Sequence, residues 1–251
     1  MRFVKSDIRV GGTPVMHILR ETLYRKNVKG DFVVCWGWRQ ARIYRSVFKV
    51  VLMVERGYLG DRLKEWVSLA WNGLNGRGDF RLPETVTFDR FRKNFGELNP
   101  WKEDGKYILV MGQIAGDASL GRVDLTSWYE MIAKTLKEKY GKPVFFRPHP
   151  HTKPGKKNFM PKIPVHSVPL QEALDEAFAV VTYNSNSAVD AVISGIPAWS
   201  FDEGSMAYAV TSHDVHVVVR PEREEWAARL AHCQWSLDEL VSGEWVDRLF
   251  G

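Results

Sequence analysis

The chain has 251 residues, 45% hydrophobic and 26% charged, an ordinary globular composition with room for one large domain or two small ones. Its 35 basic and 30 acidic residues give a net charge of +5 and a pI near 9.1, a mild excess that favours anionic ligands without identifying nucleic acid. No apolar run, Val50 to Val54 included, approaches a bilayer span, and no basic-then-apolar leader opens the sequence. A membrane span and export are therefore not expected, and a cytoplasmic location is. Cys35 and Cys233 are too few for a disulfide framework and lack metal-ligand spacing, so both are expected as buried, reduced thiols. Ten tryptophans are a larger anomaly: most belong in a core, but an acceptor groove lined with rings also uses them.

In chain order, Thr13 and Pro14 open a helix that runs to Tyr24, since proline suits a first helical turn. Phe32 to Trp36 reads as a buried strand ending at Gly37, and Lys49 to Glu55 as a second strand ending before Gly57. Trp71 to Asp79 holds three glycines and two asparagines in nine residues and reads as a loop. From there strands and helices alternate. Tyr107 to Met111 is a strand, and Leu125 to Tyr140 an amphipathic helix with Trp128, Ile132 and Leu136 at helical spacing. Val144 to Phe146 is a strand, Leu170 to Ala177 a short helix, and Ala179 to Tyr183 a strand. A helix through Ile193 and a strand at Gly195 to Ser200 complete the series. Such alternation predicts a parallel, doubly wound sheet, which binds ligands at the carboxyl ends of its strands.

The unusual polar residues lie at those ends. Arg147-Pro148-His149-Pro150-His151 follows a strand. Its prolines fix the backbone, so His149 is a positioned imidazole and Arg147 offers a fork to phosphate; the alternative is a rigid turn with a surface histidine. Thr182 to Asp190 leads from strand to helix through Asn184, Ser185, Asn186 and Ser187, residues that cap a helix and also suit a phosphate cradle. In Gly112-Gln113-Ile114-Ala115-Gly116-Asp117-Ala118-Ser119, Asp117 reads equally as a general base for an acceptor hydroxyl and as an Asx turn on Ser119. Glu55 in Val54-Glu55-Arg56-Gly57-Tyr58 is a second carboxylate candidate beside a plain strand-end turn. His213, Asp214 and His216 invite a metal reading. The expectation is instead a strand from Val215 to Val219 carrying His216 outward, and no metal site is expected. A phosphate-loop lysine motif and Gly-x-Gly-x-x-Gly are both missing.

These pieces together resemble the capsule polysaccharide biosynthesis family, which includes retaining Kdo transferases. The resemblance rests on Val34-Cys35-Trp36-Gly37, Val54 to Tyr58, Gly112-Gln113 through Ser119, Arg147-Pro148-His149-Pro150, and Tyr183-Asn184-Ser185 through Gly195-Ile196-Pro197. It covers roughly residues 30–205 in the family's order. It implies an α/β, GT-B-like fold of two Rossmann-like halves with a cleft between them, placed at 1–100 (acceptor half) and 101–251 (nucleotide-sugar half). It implies a donor site of Gln113, Arg147, His149, Asn184, Ser185 and Ser187, as in bacterial sialyltransferases that use CMP-sugars, and Asp117 as the catalytic acid position, with Glu55 a second. Where the family carries an acidic pair before the glycine, this chain has Glu55-Arg56, and its first half is short. Compact relatives of this kind resemble proteins of tailed phages. The expectation is therefore a metal-independent glycosyltransferase using a CMP- or UDP-type nucleotide-sugar as co-substrate, with no separate cofactor. Its acceptor is expected to be a hydroxymethylated pyrimidine in phage DNA or, alternatively, a capsule or surface polysaccharide. A nucleotide-sugar epimerase and a non-catalytic nucleic-acid-binding module are the rival classes.

Overall fold

The computed structural model describes residues 1–4, 8–117, 119–120, 123–151 and 158–251. The strands are β1 (Arg2–Phe3), β2 (Arg9–Val10), β3 (Thr13–Pro14), β4 (Val33–Trp36), β5 (Val51–Arg56), β6 (Trp66–Trp71), β7 (Tyr107–Met111), β8 (Val144–Arg147), β9 (Ala177–Thr182), β10 (Ala198–Ser200) and β11 (Gln234–Ser236). The helices are α1 (Val15–Arg25), α2 (Gly37–Tyr44), α3 (Asp89–Phe95), α4 (Thr126–Tyr140), α5 (Leu170–Asp175), α6 (Ser187–Ile193), α7 (Glu224–Ala231), α8 (Leu237–Ser242) and α9 (Glu244–Phe250). Among the described residues, no helix is long and apolar enough to cross a membrane. The chain folds as two compact units, Met1–Glu97 with Arg223–Gly251, and Leu98–Glu222.

The first unit is built on a five-stranded sheet in the order β1-β4-β5-β6-β11. β1, β4 and β5 run parallel, while β6 is antiparallel to both β5 and β11. Successive side chains on a strand point to opposite faces, and the core divides accordingly. Val34, Trp36, Leu52, Val54, Val67, Leu69 and Trp71 pack with Leu19, Leu23, Trp245 and Leu249. Val33, Cys35, Val51 and Met53 pack with Ala41 of α2 on the other face. Cys35 and Cys233 are free and buried, and burial pushes both thiols up to about 12.

The final segment is not part of the second half, as a single boundary at residue 100 would have it. β11 extends the first unit's sheet, and α8 and α9 cover its core. Arg90 of α3 secures this segment. Its Nε donates to the Ala231 carbonyl at 2.9 Å and its Nη2 to the Gln234 carbonyl at 3.1 Å, and the guanidinium grips both Glu239 carboxylate oxygens. Glu239 also closes the capping box of α8 with Ser236. Burial alone would raise this carboxyl, but the Arg90 and Ser236 hydrogen bonds outweigh it and hold it below the ordinary range. Gln234, fully buried, accepts at Oε1 from the backbone N–H groups of Tyr58 (2.6 Å) and Leu59 (2.9 Å) and donates to the Leu59 carbonyl.

The second unit carries a four-stranded sheet, β10-β9-β7-β8, parallel throughout, as the alternation predicts. β7 is buried on both faces, which is why its sequence is an unbroken apolar run. Helix α4 buries Tyr129, Ile132, Ala133 and Leu136, the i, i+3, i+4, i+7 stripe of a helix packed on a sheet, and ends at Gly141 in the left-handed conformation. Gly195 (φ +77°) ends the turn after α6; a Cβ there would lie 2.1 Å from the Pro100 carbonyl oxygen, so no other residue fits. The expected strand at Val215 to Val219 does not form. Ser212 bridges Trp199 of β10, after which the chain turns and the Trp199 indole N–H fixes the Val217 carbonyl at 2.9 Å.

Two outcomes follow. Replacing Gln234 with alanine orphans two buried backbone N–H groups and should destabilise the protein by about 3 kcal/mol, read as a lowered denaturant midpoint at unchanged m-value. His232 accepts at Nδ1 from Arg248 at 3.4 Å. Burial, then the charges of Arg90 and Arg248, lower it from 6.5 to about 4. A depressed histidine is neutral in the fold and protonated first in the unfolded chain, so stability present above pH 6.5 should fall as pH drops toward 4. His232→Gln should flatten that part of the stability–pH curve; an unchanged slope refutes the assignment.

Candidate functional site

The carboxyl ends of β7, β8 and β9 in the second unit hold most of the residues singled out from the sequence. Gly112, just past β7, lies so close to β8 that a Cβ would sit 2.7 Å from the Phe146 ring and 2.9 Å from the Arg147 carbonyl oxygen; its N–H donates to that carbonyl at 2.8 Å. This close approach places Gln113 against the loop that follows β9. There Gln113 and Asn184 form a closed pair: the Gln113 Nε2 donates to Asn184 Oδ1 at 2.6 Å, and the Asn184 backbone N–H returns to Gln113 Oε1 at 3.1 Å. The Asn184 Nδ2 donates twice more, to the Ser119 carbonyl at 3.1 Å and to Asp202 Oδ1 at 2.9 Å. Three loops, after β7, β9 and β10, are thereby joined through one buried amide.

Asp117 is exposed and makes the Asx turn: its Oδ1 accepts from the Ser119 backbone N–H at 2.8 Å and from the Ser119 hydroxyl at 2.7 Å. Ala118, between them, lies outside the described residues. The turn and a chemical role are compatible, because the turn fixes the carboxylate's orientation. His149 is half-buried. Its Nδ1 accepts from the His151 backbone N–H at 3.1 Å, so the neutral ring carries its proton on Nε2 and is a hydrogen-bond donor there. Burial, then His151, lower its pKa, and Asp117 opposes them. Asp117 and His149 therefore share one electrostatic environment although they come from different strands.

Ser185 and Ser187 bond each other: the Ser187 hydroxyl donates to Ser185 Oγ at 2.9 Å, and the Ser187 N–H to the same atom at 3.3 Å. The Ser185 N–H donates to Thr182 Oγ1 at 3.0 Å. The Ala188 and Val189 N–H groups go to the Ser185 and Asn186 carbonyls. The amides opening α6 are thus engaged by the turn itself, and the hydroxyls are the groups it presents.

Arg147 is not brought to this group. Its guanidinium donates to the Val168 carbonyl, and burial lowers its pKa. Glu55 lies in the first unit, where its Oε1 accepts from the Arg56 N–H at 3.0 Å. Sequence reasoning passed over Asp202 and Tyr129, whose buried hydroxyl accepts from the Gln113 N–H at 3.1 Å. Tyr129 gives no signal of its own, since it occupies an apolar position of an amphipathic helix. Among the described residues no group of three or more His, Cys, Asp or Glu is placed to hold a metal ion.

The class this architecture defines is the GT-B-like α/β fold of two Rossmann-like halves. Two solved structures share it across most of the chain, both from Thermosulfurimonas dismutans KpsC. One is its beta Kdo 2,4 transferase, at TM-score 0.57 and 16% identity, covering 84% of this chain and 85% of that one. The other is its beta Kdo 2,7 transferase, at TM-score 0.52 and 18% identity, covering 93% and 89%. No protein-family profile matches the chain, and no curated protein is significantly similar to it.

The electrostatic link between Asp117 and His149 has a measurable sign. A nearby carboxylate favours the charged imidazole, so Asp117→Asn should lower the His149 pKa further in an NMR titration of its ring protons. A value unmoved by the substitution would separate the two residues.

Proposed function

We propose that this protein is a glycosyltransferase that moves a sugar from a CMP- or UDP-type nucleotide-sugar to a hydroxyl acceptor, without a metal. The observation that carries the reading is the convergence, at one edge of a parallel sheet, of an oriented carboxylate, an imidazole carrying its proton on Nε2 and a pair of hydroxyls. The fold shared with two Kdo transferases supports it. In this reading His149 donates from Nε2 to the donor's phosphate, and Ser185 and Ser187 supply hydroxyls to the same group. Gln113 and Asn184, expected as donor contacts, act by holding the loops in register, because their amides are committed to each other, to Ser119 and to Asp202. Arg147 reaches the donor only by leaving the Val168 carbonyl. Asp117 takes the acceptor's hydroxyl proton as that oxygen bonds to the anomeric carbon. The bond from that carbon to the phosphate oxygen breaks, and its electron pair leaves with the nucleotide. The alternative role of the same carboxylate is to remain charged and stabilise the oxocarbenium-like transition state. Catalysis comes mainly from positioning and electrostatics.

For the acceptor we take a capsule-type saccharide, which is compatible with the fold shared with two Kdo transferases. The alternative, a hydroxymethylated pyrimidine in phage DNA, rests on the resemblance of compact relatives to tailed-phage proteins; the pI and the tryptophans are only compatible with it. Of the ten, Trp36, Trp66, Trp71, Trp199, Trp235 and Trp245 are buried, and Trp38, Trp101, Trp128 and Trp226 are half-buried. The excess of indole is explained by packing.

Calorimetric titration with CMP and UDP tests the donor site. His149→Ala should weaken binding by about 1.5–3 kcal/mol, the range for hydrogen bonds to charged groups, at nearly unchanged thermal stability; intact affinity removes His149 from the site. Transfer of labelled sugar is then read with Asp117→Asn, which should abolish transfer and spare nucleotide binding. Conversion of the donor with no acceptor present would instead mark an epimerase. With a saccharide acceptor, activity should change little between about 50 and 200 mM salt, whereas activity on hydroxymethylated DNA should fall steeply over the same range.

A further inference from the structure

Past β10, the loop of residues 201–214 stacks the His213 imidazole on the Tyr208 ring, centroids 3.6 Å apart and planes within 11°. His213 is exposed although one face of its ring is covered, and Tyr208 is half-buried. Exposed rings ordinarily move among rotamers, yet this pair is held by a buried polar scaffold. The His213 Nδ1 donates to the Ser200 carbonyl at 2.8 Å, which makes Nε2 of the neutral ring an acceptor. Ser200 and Thr211, both buried, share a hydroxyl hydrogen bond. Thr211 Oγ1 also donates to the Tyr208 carbonyl at 3.2 Å, and the backbone pairs Ser212 with β10: the Ser200 N–H donates to the Ser212 carbonyl and the Ser212 N–H to the Ala198 carbonyl, each at 3.1 Å.

The loop also belongs to the carboxyl edge of the sheet. Ser200 pairs in register with Thr182 of β9, and Asp202 accepts from Asn184. We propose that the Tyr208–His213 pair is a stacking platform for the ring of an uncharged sugar, a reading that rests on nucleotide-sugar chemistry at this same edge. Charge decides between a sugar and the nucleotide. Residues 201–214 carry Asp202, Glu203 and Asp214 and neither lysine nor arginine. These acidic groups disfavour phosphate there, whereas a sugar hydroxyl finds an acceptor in His213 Nε2, with Glu203 and Asp214 as exposed carboxylates on the same loop. The histidine and serine hydroxyls assigned to the phosphate follow β8 and β9, so the anionic and hydroxyl-rich parts of one ligand fall on different stretches of the edge. An aromatic face covers the apolar face of a sugar ring, and the acceptors around it orient the hydroxyls.

The test compares wild type, His213→Ala and Tyr208→Ala by saturation-transfer NMR and calorimetry. The probes are UDP-glucose, UDP-N-acetylglucosamine, the nucleotides UDP and CMP, and methyl glucosides. Both substitutions should weaken sugar-bearing probes about fivefold, the size of one net hydrogen bond, and leave the bare nucleotides unchanged. His213→Phe, which keeps an aromatic ring for the stack but removes Nε2 and the Nδ1 bond to the Ser200 carbonyl, should recover part of the loss. Loss confined to the sugar nucleotides assigns the platform to the donor's sugar, and loss on the methyl glucosides assigns it to the acceptor's. Weakened methyl glucoside binding in a protein that binds no nucleotide keeps the platform and refutes the nucleotide-sugar reading. Equal weakening of UDP and UDP-glucose, unchanged affinity for every probe, or a wild type that binds no sugar-bearing probe overturns the platform.

Discussion

The side chain of Asn184 commits its carbonyl and both amide protons to the protein, and the geometry of the second unit's functional edge depends on it. A parallel sheet delivers its loops to one edge but leaves them independent of one another. Asn184 sits after the central strand β9 and ties down the loop on each side, through Gln113 and Ser119 toward β7 and through Asp202 toward β10. An amide does this where a carboxylate cannot, since it donates and accepts at once without placing a charge in a buried position. Asp117, Ser119 and the His213 loop are all positioned downstream of this single group.

The first unit has a comparable device in Gln234, again a buried amide linking distant segments. It joins β11 to the turn at Tyr58 and Leu59 immediately after Glu55, Arg56 and Gly57. Arg90 adds a second fastening through Glu239 and two backbone carbonyls. In both units, irregular backbone near the strand ends is held by hydrogen-bonded polar side chains, which gives loops a defined shape where a ligand needs one.

The second unit was the more legible in the sequence, and the reason is physical. Parallel strands buried on both faces read as short apolar runs, so β7 and β9 stand out between amphipathic helices. The polar turns at their ends break that rhythm and mark the edge. Which way a side chain faces was not legible: Arg147 shares a motif with His149, yet it is turned to the Val168 carbonyl, a choice made by tertiary neighbours. In the first unit, Trp66-Val67-Ser68-Leu69-Ala70-Trp71 is as apolar as β7, but it pairs antiparallel and lies outside any β–α alternation. The return of residues 223–251 to this unit was hidden because α7 to α9 resemble any short helices. Their destination is set by Arg90 and by contacts remote in sequence.

That return makes the first unit discontinuous, with the whole second unit inserted between β6 and β11, and this orders events during synthesis. Residues 1–97 leave the ribosome first, but the sheet lacks β11 and its core lacks Trp235, Trp245 and Leu249. At about 5–20 residues per second, those residues arrive roughly 7–30 s later. In the interval the inserted unit, continuous in sequence, is free to fold by itself. The nascent first unit must wait with Val67, Leu69 and Trp71 incompletely covered and with β6 as an open edge, the state in which a chain is most exposed to misassembly and to chaperones.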